Sequence, residues 1–373
     1  MATTPKTDKD RLRDAEEIIR QKQARLTLVE REIKLIRRDN DAAEKIRREI
    51  YDLQAVTPNP PKWIIKETDP KITGVPLAIL SDIHGGERVD ASQVGGVNKF
   101  NRQIMHQRLK IWTQVLLDLT LHHMVNPVYP GLILALAGDM ITGVIHDELR
   151  ETNDGTVQLT LLELQETLIT IITVLADRFG KVFIPCVVGN HGRETLKPRA
   201  KNRVYTSYEW NLYCQLELHF RNDARVKFFI PNETDAYFTV QGHRFLLTHG
   251  DSLGVRGGDG IIGALGPIAR GTIKVGNSEK QIGRDFDTLL MGHYHTYIPR
   301  GDACHAVVNG SVIGYNEYAR LQLRVPYSRP TQALMFIHQK YGFTAQWPMY
   351  LDAQPKFTGK SWISWEDRRR EGR

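Results

Sequence analysis

Residues 291–296 read MGHYHT, two histidines one residue apart after the apolar run Asp287-Thr-Leu-Leu-Met291. Imidazoles ligate metals and move protons near neutral pH, but a single H-x-H also occurs as an ordinary pair of turn histidines. The same arrangement, an apolar run ending in ligand-type side chains, recurs four more times. VPLAIL (75–80) runs into Asp82 and His84, and LILALA (132–137) runs into Asp139. VFIPCVV (182–188) runs into Asn190 and His191, and RFLLT (244–248) runs into His249. TLLM (288–291) then supplies His293 and His295. Carboxylate, imidazole and amide groups gathered in this way are the chemistry of a metal or catalytic site, not of a satisfied core.

Such groups meet only if the runs that carry them are strands of one architecture. In open α/β sheets the carboxyl ends of the strands form the ligand crevice. Helical stretches at about 99–125, 156–178 and 206–220 separate several of the runs, which implies sheets covered by helices. Shorter runs at 226–230, 236–240, 305–309 and 333–338 predict a second, more antiparallel sheet. The expected fold class is α/β: a two-sheet core with flanking helices, preceded by a long N-terminal coiled-coil-like helix.

That helix is read from residues 9–54, which lack Pro and Gly. Leu12, Ile19, Leu26 and Ile33 fall seven apart, as do Val29, Ile36, Ala43 and Ile50 on a ladder offset by three. The two ladders form an a/d seam with Asn40 at an a position, a device that fixes register. A homo-oligomer through this helix is one reading, and an amphipathic helix folded onto the chain's own body is the other. The domain boundaries follow: 1–55 helical, 56–63 a proline-rich linker, 64–355 the globular domain and 356–373 a charged tail.

The 373 residues carry 50 Lys and Arg against 43 Asp and Glu, a net charge of +7 that is compatible with an anionic partner. No apolar run reaches the about 18 residues of a membrane span, so no membrane association is expected. No secretory signal is expected at the N-terminus either, and three widely spaced cysteines fit a reducing, cytoplasmic setting without zinc-finger spacing.

The ordered set SDIH, AGD, GNH, TH and GHYH resembles the pattern of the calcineurin-like metallophosphoesterase superfamily over roughly residues 75–300. The resemblance implies a dinuclear site. Asp82, His84, Asp139 and His295 would bind one ion, and Asp139, Asn190, His249 and His293 the other, with Asp139 bridging. Two divalent ions about 3.5–4 Å apart can hold the attacking and leaving oxygens of an in-line displacement at phosphorus, with a water as nucleophile. The thiolate-free donor set suits Mn first, or Fe, and accepts Zn or Ni. A turn after β-type residues 288–291 would present both rings of MGHYHT to adjacent ions. His191 would face the phosphate and stabilise or protonate the leaving oxygen.

One position departs from the pattern. The residue after GNH is acidic in many members, and here it is Gly192, followed by Arg193. Arg193 reads either as a bidentate phosphate grip or as a structural arginine. The glycine-bearing stretches at 85–101 and 250–266 read as gating loops or as plain surface loops, and His146 as a phosphate-side or a surface histidine.

The resemblance implies a phosphoric ester hydrolase and leaves the substrate open. A DNA nuclease or exonuclease is the first reading. A phosphatase or phosphodiesterase for a small molecule or phosphoprotein is the second. A coiled-coil scaffold with a structural metal site is the third, disfavoured because the ligand positions and His191 are all present.

Overall fold

The computed structural model describes residues 74–253, 265–301 and 305–352, with separate positions between Arg20 and Lys34. The chain divides into two units, Met1–Pro58 with Glu279–Arg284, and Asn59–Ser278 with Asp285–Arg373. In the first unit Arg20, Lys22, Gln23, Leu26, Thr27, Glu30 and Lys34 are helical and exposed. The rest of the predicted heptad seam, the proline-rich linker, most of the glycine-rich stretch after His249 and the charged tail lie outside the described residues.

The second unit is built on two sheets. β1 (Val75–Leu80), β2 (Leu132–Leu136), β3 (Val182–Pro185) and β4 (Val226–Phe229) run parallel in the order β1-β2-β3-β4. β9 (Thr331–His338) pairs antiparallel with the free side of β1, and β10 (Gly342–Tyr350) continues antiparallel to β9. The second sheet has the order β5 (Ala236–Val240), β6 (His243–Leu247), β7 (Thr288–Met291), β8 (Ala306–Val308).

The alternation of side chains explains why the sheets stack. Val75, Leu77 and Ile79 of β1 join Ile133 and Ala135 of β2 and Phe245 and Leu247 of β6 in the core between the sheets. Ala78 and Leu80 face the other way, toward helices. Those helices are α1 (Arg102–Leu117), α3 (Val157–Phe179) and α4 (Tyr208–Phe220), which contribute Trp112, Leu168 and Tyr213 to the helix-side core. The short α2 (Asp147–Thr152) precedes α3. On the outer face of the second sheet, Ile268 of α5 (Leu265–Gln281) packs with Leu246, Leu289 and Met291.

Helix boundaries follow local chemistry. Asn101 caps α1 by accepting from Ile104 N at 2.9 Å, and Thr156 and Ser207 cap α3 and α4. α3 is long and apolar enough, by length and composition alone, to cross a membrane. It buries Leu164, Leu168, Ile171, Ile172, Leu175 and Phe179 in the core, as the central helix of a layered domain does.

The second sheet is not the group of late strands that the sequence predicts. β4 and β9 belong to the first sheet, while β6 and β7 join β5 and β8 in the second. Only the β5–β6 pair is antiparallel, since crossovers connect β6 to β7 and β7 to β8. β9 lies between two neighbours, and seven of its eight residues are buried.

Candidate metal centre

The candidate ligands leave the carboxyl ends of β1, β2, β3, β6 and β7, which point to one edge of the stacked sheets. Backbone bonds sew these ends together. Asp82 N donates to Gly138 O at 3.0 Å, His84 N to Asp139 O at 3.0 Å, and Gly292 N to His249 O at 3.0 Å. The turns are tight. Among the described residues nine non-glycine positions have a left-handed backbone, and five of them are Asp82, His84, Asp139, His293 and His295. Such conformations cost about 1–3 kcal/mol each and gather where function fixes geometry. Gly292 answers a different demand, since a Cβ there would collide with the Asp82 carboxylate.

The side chains form two groups around a shared carboxylate. In the first, His84 Nε2 lies 3.1 Å from His295 Nε2, and His295 Nε2 lies 3.3 Å from Asp82 Oδ1. In the second, His249 Nε2 lies 3.1 Å from Asn190 Oδ1 and 3.1 Å from Asp139 Oδ2, and the His293 ring is 5.1 Å from that of His249. Asp139 Oδ2 is also 3.8 Å from His84 Nε2, so this oxygen stands between the groups. Ligand-type atoms of Asp82, His84 and His295, and of Asp139, His249 and His293, each fall within 4.8 Å of one another. Asp82, His84, Asp139 and His249 are buried, whereas Asn190, His191, His293 and His295 are partly open. Access is therefore past those four partly open side chains.

The outer nitrogens decide whether this donor set fits a metal. His249 Nδ1 lies 2.8 Å from Ala137 O, a carbonyl that can only accept. That ring must carry its proton on Nδ1 when neutral, which leaves the Nε2 lone pair aimed at Asp139 and Asn190. His84 Nδ1 lies 3.4 Å from Glu87 Oε2 and 3.3 Å from Thr142 Oγ1, and turns its Nε2 inward in the same way. Inward lone pairs next to two buried carboxylates fit divalent cations.

The charges agree with this reading. Burial pushes the His84 imidazole down, but its bond to Glu87 and the nearby carboxylates outweigh burial and raise it to about 9. Burial likewise opposes His249, and the charge of Asp139 lifts it to about 10. Burial pushes Asp139 up, yet the rings of His249, His191 and His84 hold it well below the usual carboxylate range. The buried carboxylates that raise these imidazoles would attract divalent cations in the same way.

Two acidic residues that the sequence reading missed brace the site. Glu87 is buried and accepts from Thr142 Oγ1 at 2.6 Å and from Asn316 Nδ2 at 2.9 Å while facing His84. Glu209 on α4 is wholly buried and accepts from Met140 N and Gly189 N, both at 2.6 Å. Those amides adjoin Asp139 and Asn190, so one carboxylate holds two ligand turns together. A Cβ on Gly192 would lie 2.5 Å from Glu209 Cγ. The missing acid after GNH thus coincides with an acid from α4 filling the neighbouring space. The only sequence signal for Glu209 is its place two residues after the Ser207 cap, on the buried face of α4.

His191 lies beside both groups. Its ring centroid is 4.6 Å from that of His84, its N donates to Asp139 Oδ1 at 2.8 Å, and its Nδ1 lies 3.0 Å from Thr142 O. Burial pushes this imidazole down to about 4. Arg193 directs its guanidinium to the carbonyls of Thr195 (2.9 Å), Asn190 (2.5 Å) and Leu196 (3.0 Å). In this conformation it staples its own loop. His146 is exposed, 6.1 Å from the His191 ring. The 85–101 stretch is packed: Val89, Val94 and Phe100 are buried, and Val89 bridges Phe100.

No family model and no curated protein matches the sequence. Solved structures that overlap the chain include zinc-complexed Vps29 from Entamoeba histolytica, at 12% identity and TM-score 0.32, covering 74% of this chain and 99% of that one. A dimetal phosphatase from Danio rerio overlaps at 9% identity and TM-score 0.33, with coverage of 74% and 99%. The sulfate thiohydrolase SoxB of Thermus thermophilus overlaps at 9% identity and TM-score 0.32, with coverage of 76% and 57%. These overlaps are loose, and the functional reading rests on the side chains above.

Proposed function

We propose that the chain is a metal-dependent hydrolase of phosphate esters, of the calcineurin-like kind. One observation carries this reading: inward imidazole nitrogens of His84 and His249, fixed by Glu87 and Ala137 O, meet on the two sides of Asp139 Oδ2. Asp82, His84, Asp139 and His295 would hold one divalent ion, and Asp139, Asn190, His249 and His293 a second. When bound, such ions supply Lewis acidity and clamp the oxygens of an in-line displacement at phosphorus. Manganese is the first choice for this donor set, with iron, zinc or nickel as alternatives.

The chain's own groups do the rest. His191 has its Nδ1 3.0 Å from Thr142 O and offers a ring nitrogen within 4.8 Å of ligand atoms of His84 and Asp139, so its Nε2 is available to a phosphate bound there. An anionic phosphate there favours the protonated ring, which then binds a phosphate oxygen and passes its proton to the leaving oxygen. Arg193 fixes the loop that carries Asn190 and His191. A nucleic acid is the favoured substrate class, and a small phosphate ester or phosphoprotein is the second reading. The homo-oligomer through residues 9–54 belongs to the same proposal.

The test is hydrolysis of bis(p-nitrophenyl) phosphate by the full chain with manganese and with chelator. The reading expects turnover only with metal, and a loss of about 10²–10⁴-fold in His191→Ala with metal content retained. Full activity in that variant would remove the role given to His191.

A further inference from the structure

Between the metal centre and α4 the chain makes a loop whose base is closed and whose tip is basic. Arg193 bridges Ser207, Glu194 N donates to Thr206 O at 2.9 Å, and Tyr208 N donates to Gly192 O at 2.8 Å. The base therefore sits directly against Asn190 and His191. A second tie comes from Arg203, whose Nη2 contacts both carboxylate oxygens of Asp251 at 2.8 and 2.7 Å. Asp251 is two residues from His249, so the loop is fastened to ligand turns from both sheets.

The tip reads Leu196-Lys-Pro-Arg-Ala-Lys201. Lys197, Arg199 and Lys201 are exposed and make no ion pair among the described residues. The Arg199 side of the loop and Asn190 line one cleft, together with Arg193, Arg203, Thr206 and Ser207. Tyr205 follows, 47% exposed, with its ring edge-on to Trp210 at 5.3 Å. Cations along a fixed edge with an exposed, supported aromatic ring are what a single nucleic-acid strand requires: charge for the backbone and a face for a base. The recessed ligands favour a flexible strand over a rigid duplex, because a single strand can bend a phosphate inward.

We propose that the loop 193–207 is a binding rim for single-stranded nucleic acid, with Lys197, Arg199 and Lys201 on phosphates and Tyr205 stacking on a base. The proposal rests on the phosphoesterase reading and narrows its substrate to a polymeric strand fed along the Asn190 side of the centre. A phosphoserine or phosphothreonine peptide would use the cations but brings no ring at its phosphorylated residue for Tyr205 to stack on.

The experiment is fluorescence anisotropy with the manganese-loaded full chain and a labelled phosphorothioate oligothymidylate, which resists cleavage, across a salt series. Replacing Lys197, Arg199 and Lys201 together by Ala should weaken binding at least about tenfold and reduce the log–log salt slope by about 2, near 0.7 per lost contact. Tyr205→Ala should weaken binding by about tenfold with the slope unchanged. In each variant the ratio of oligonucleotide to bis(p-nitrophenyl) phosphate turnover should fall. An unchanged slope in the triple variant would overturn the proposal. So would tighter binding of duplex than of single strand, or a loss confined to a phosphopeptide substrate. Failure of the metal chemistry reads out separately, as absent hydrolysis of the small diester by the unaltered chain.

Discussion

Glu209 occupies the space beside Gly192 that a side chain at that position would need, with only 2.5 Å between Glu209 Cγ and a Cβ built on the glycine. Through this carboxylate, α4 holds the turns of Asp139 and Asn190 at a fixed spacing. Gly192→Ala should push the carboxylate off the amides of Met140 and Gly189. The expected cost is about 1–3 kcal/mol of stability from overpacking. A loss of about 10–100-fold in metal affinity should accompany it. Thermal unfolding and competition with a chromophoric chelator measure the two effects.

Glu209→Gln tests the same clamp without adding volume. An amide offers one acceptor oxygen where the carboxylate offers two, so one buried amide loses its acceptor, at about 1–3 kcal/mol. Metal affinity should fall while the fold survives. Unchanged affinity would make Glu209 a packing residue only.

Among the candidate ligands, Glu87→Gln should act directly on His84 alone. The His84 ring loses its carboxylate and the preference for an inward Nε2 weakens. The outcome expected is a second, weaker metal-binding step in calorimetry, with the first step near its original value.

The raised imidazoles set the pH behaviour of the metal-free chain. His84 rises from 6.5 to about 9, and His249 from 6.5 to about 10. A group with a raised folded pKa contributes stability that is complete below its unfolded value and lost as pH climbs through the folded one. The Tm of metal-free protein should therefore drop from pH 6.5 toward pH 9–10. Metal loading must displace these protons, so apparent metal affinity should increase over the same range, with proton release visible in buffers of different ionisation heat. A flat Tm profile for the metal-free chain would contradict the pairing.

Deleting residues 1–55 should yield a smaller assembly in sedimentation while the metal-dependent hydrolysis persists, as a heptad seam outside the catalytic unit requires. An unchanged sedimentation coefficient, once corrected for mass, would favour a helix folded onto its own body.

The strand ends were legible because hydrophobic runs and their polar stops are local. Val75–Leu80, Ala236–Val240 and Thr288–Met291 fall where the pattern puts them. β10 was not legible: Thr344, Gln346 and Pro348 break its apolar pattern, as an edge strand permits. α5 was hidden by Gly266, Pro267, Gly271 and Gly276, each a poor sign of a helix on its own. Sheet membership of β4 and β9 depends on partners distant in sequence, such as Ala78 with Leu334. Glu87, Thr142 and Glu209 act through contacts dozens to hundreds of residues apart, which no spacing reveals. Arg193 shows the limit of residue type: it reads equally as a phosphate grip or a structural arginine, and in this structure its guanidinium donates to three carbonyls.

The most direct test of the central claim is the metal stoichiometry of the full chain and of Asp139→Asn after manganese loading, by elemental analysis beside hydrolysis of bis(p-nitrophenyl) phosphate. Asp139 Oδ2 stands between the two ligand groups, 3.8 Å from His84 Nε2 and 3.1 Å from His249 Nε2. The account predicts about two ions per chain with chelator-sensitive turnover, and loss of both ions and turnover in the variant. Two ions retained with full turnover in Asp139→Asn, or hydrolysis indifferent to chelator, would contradict it.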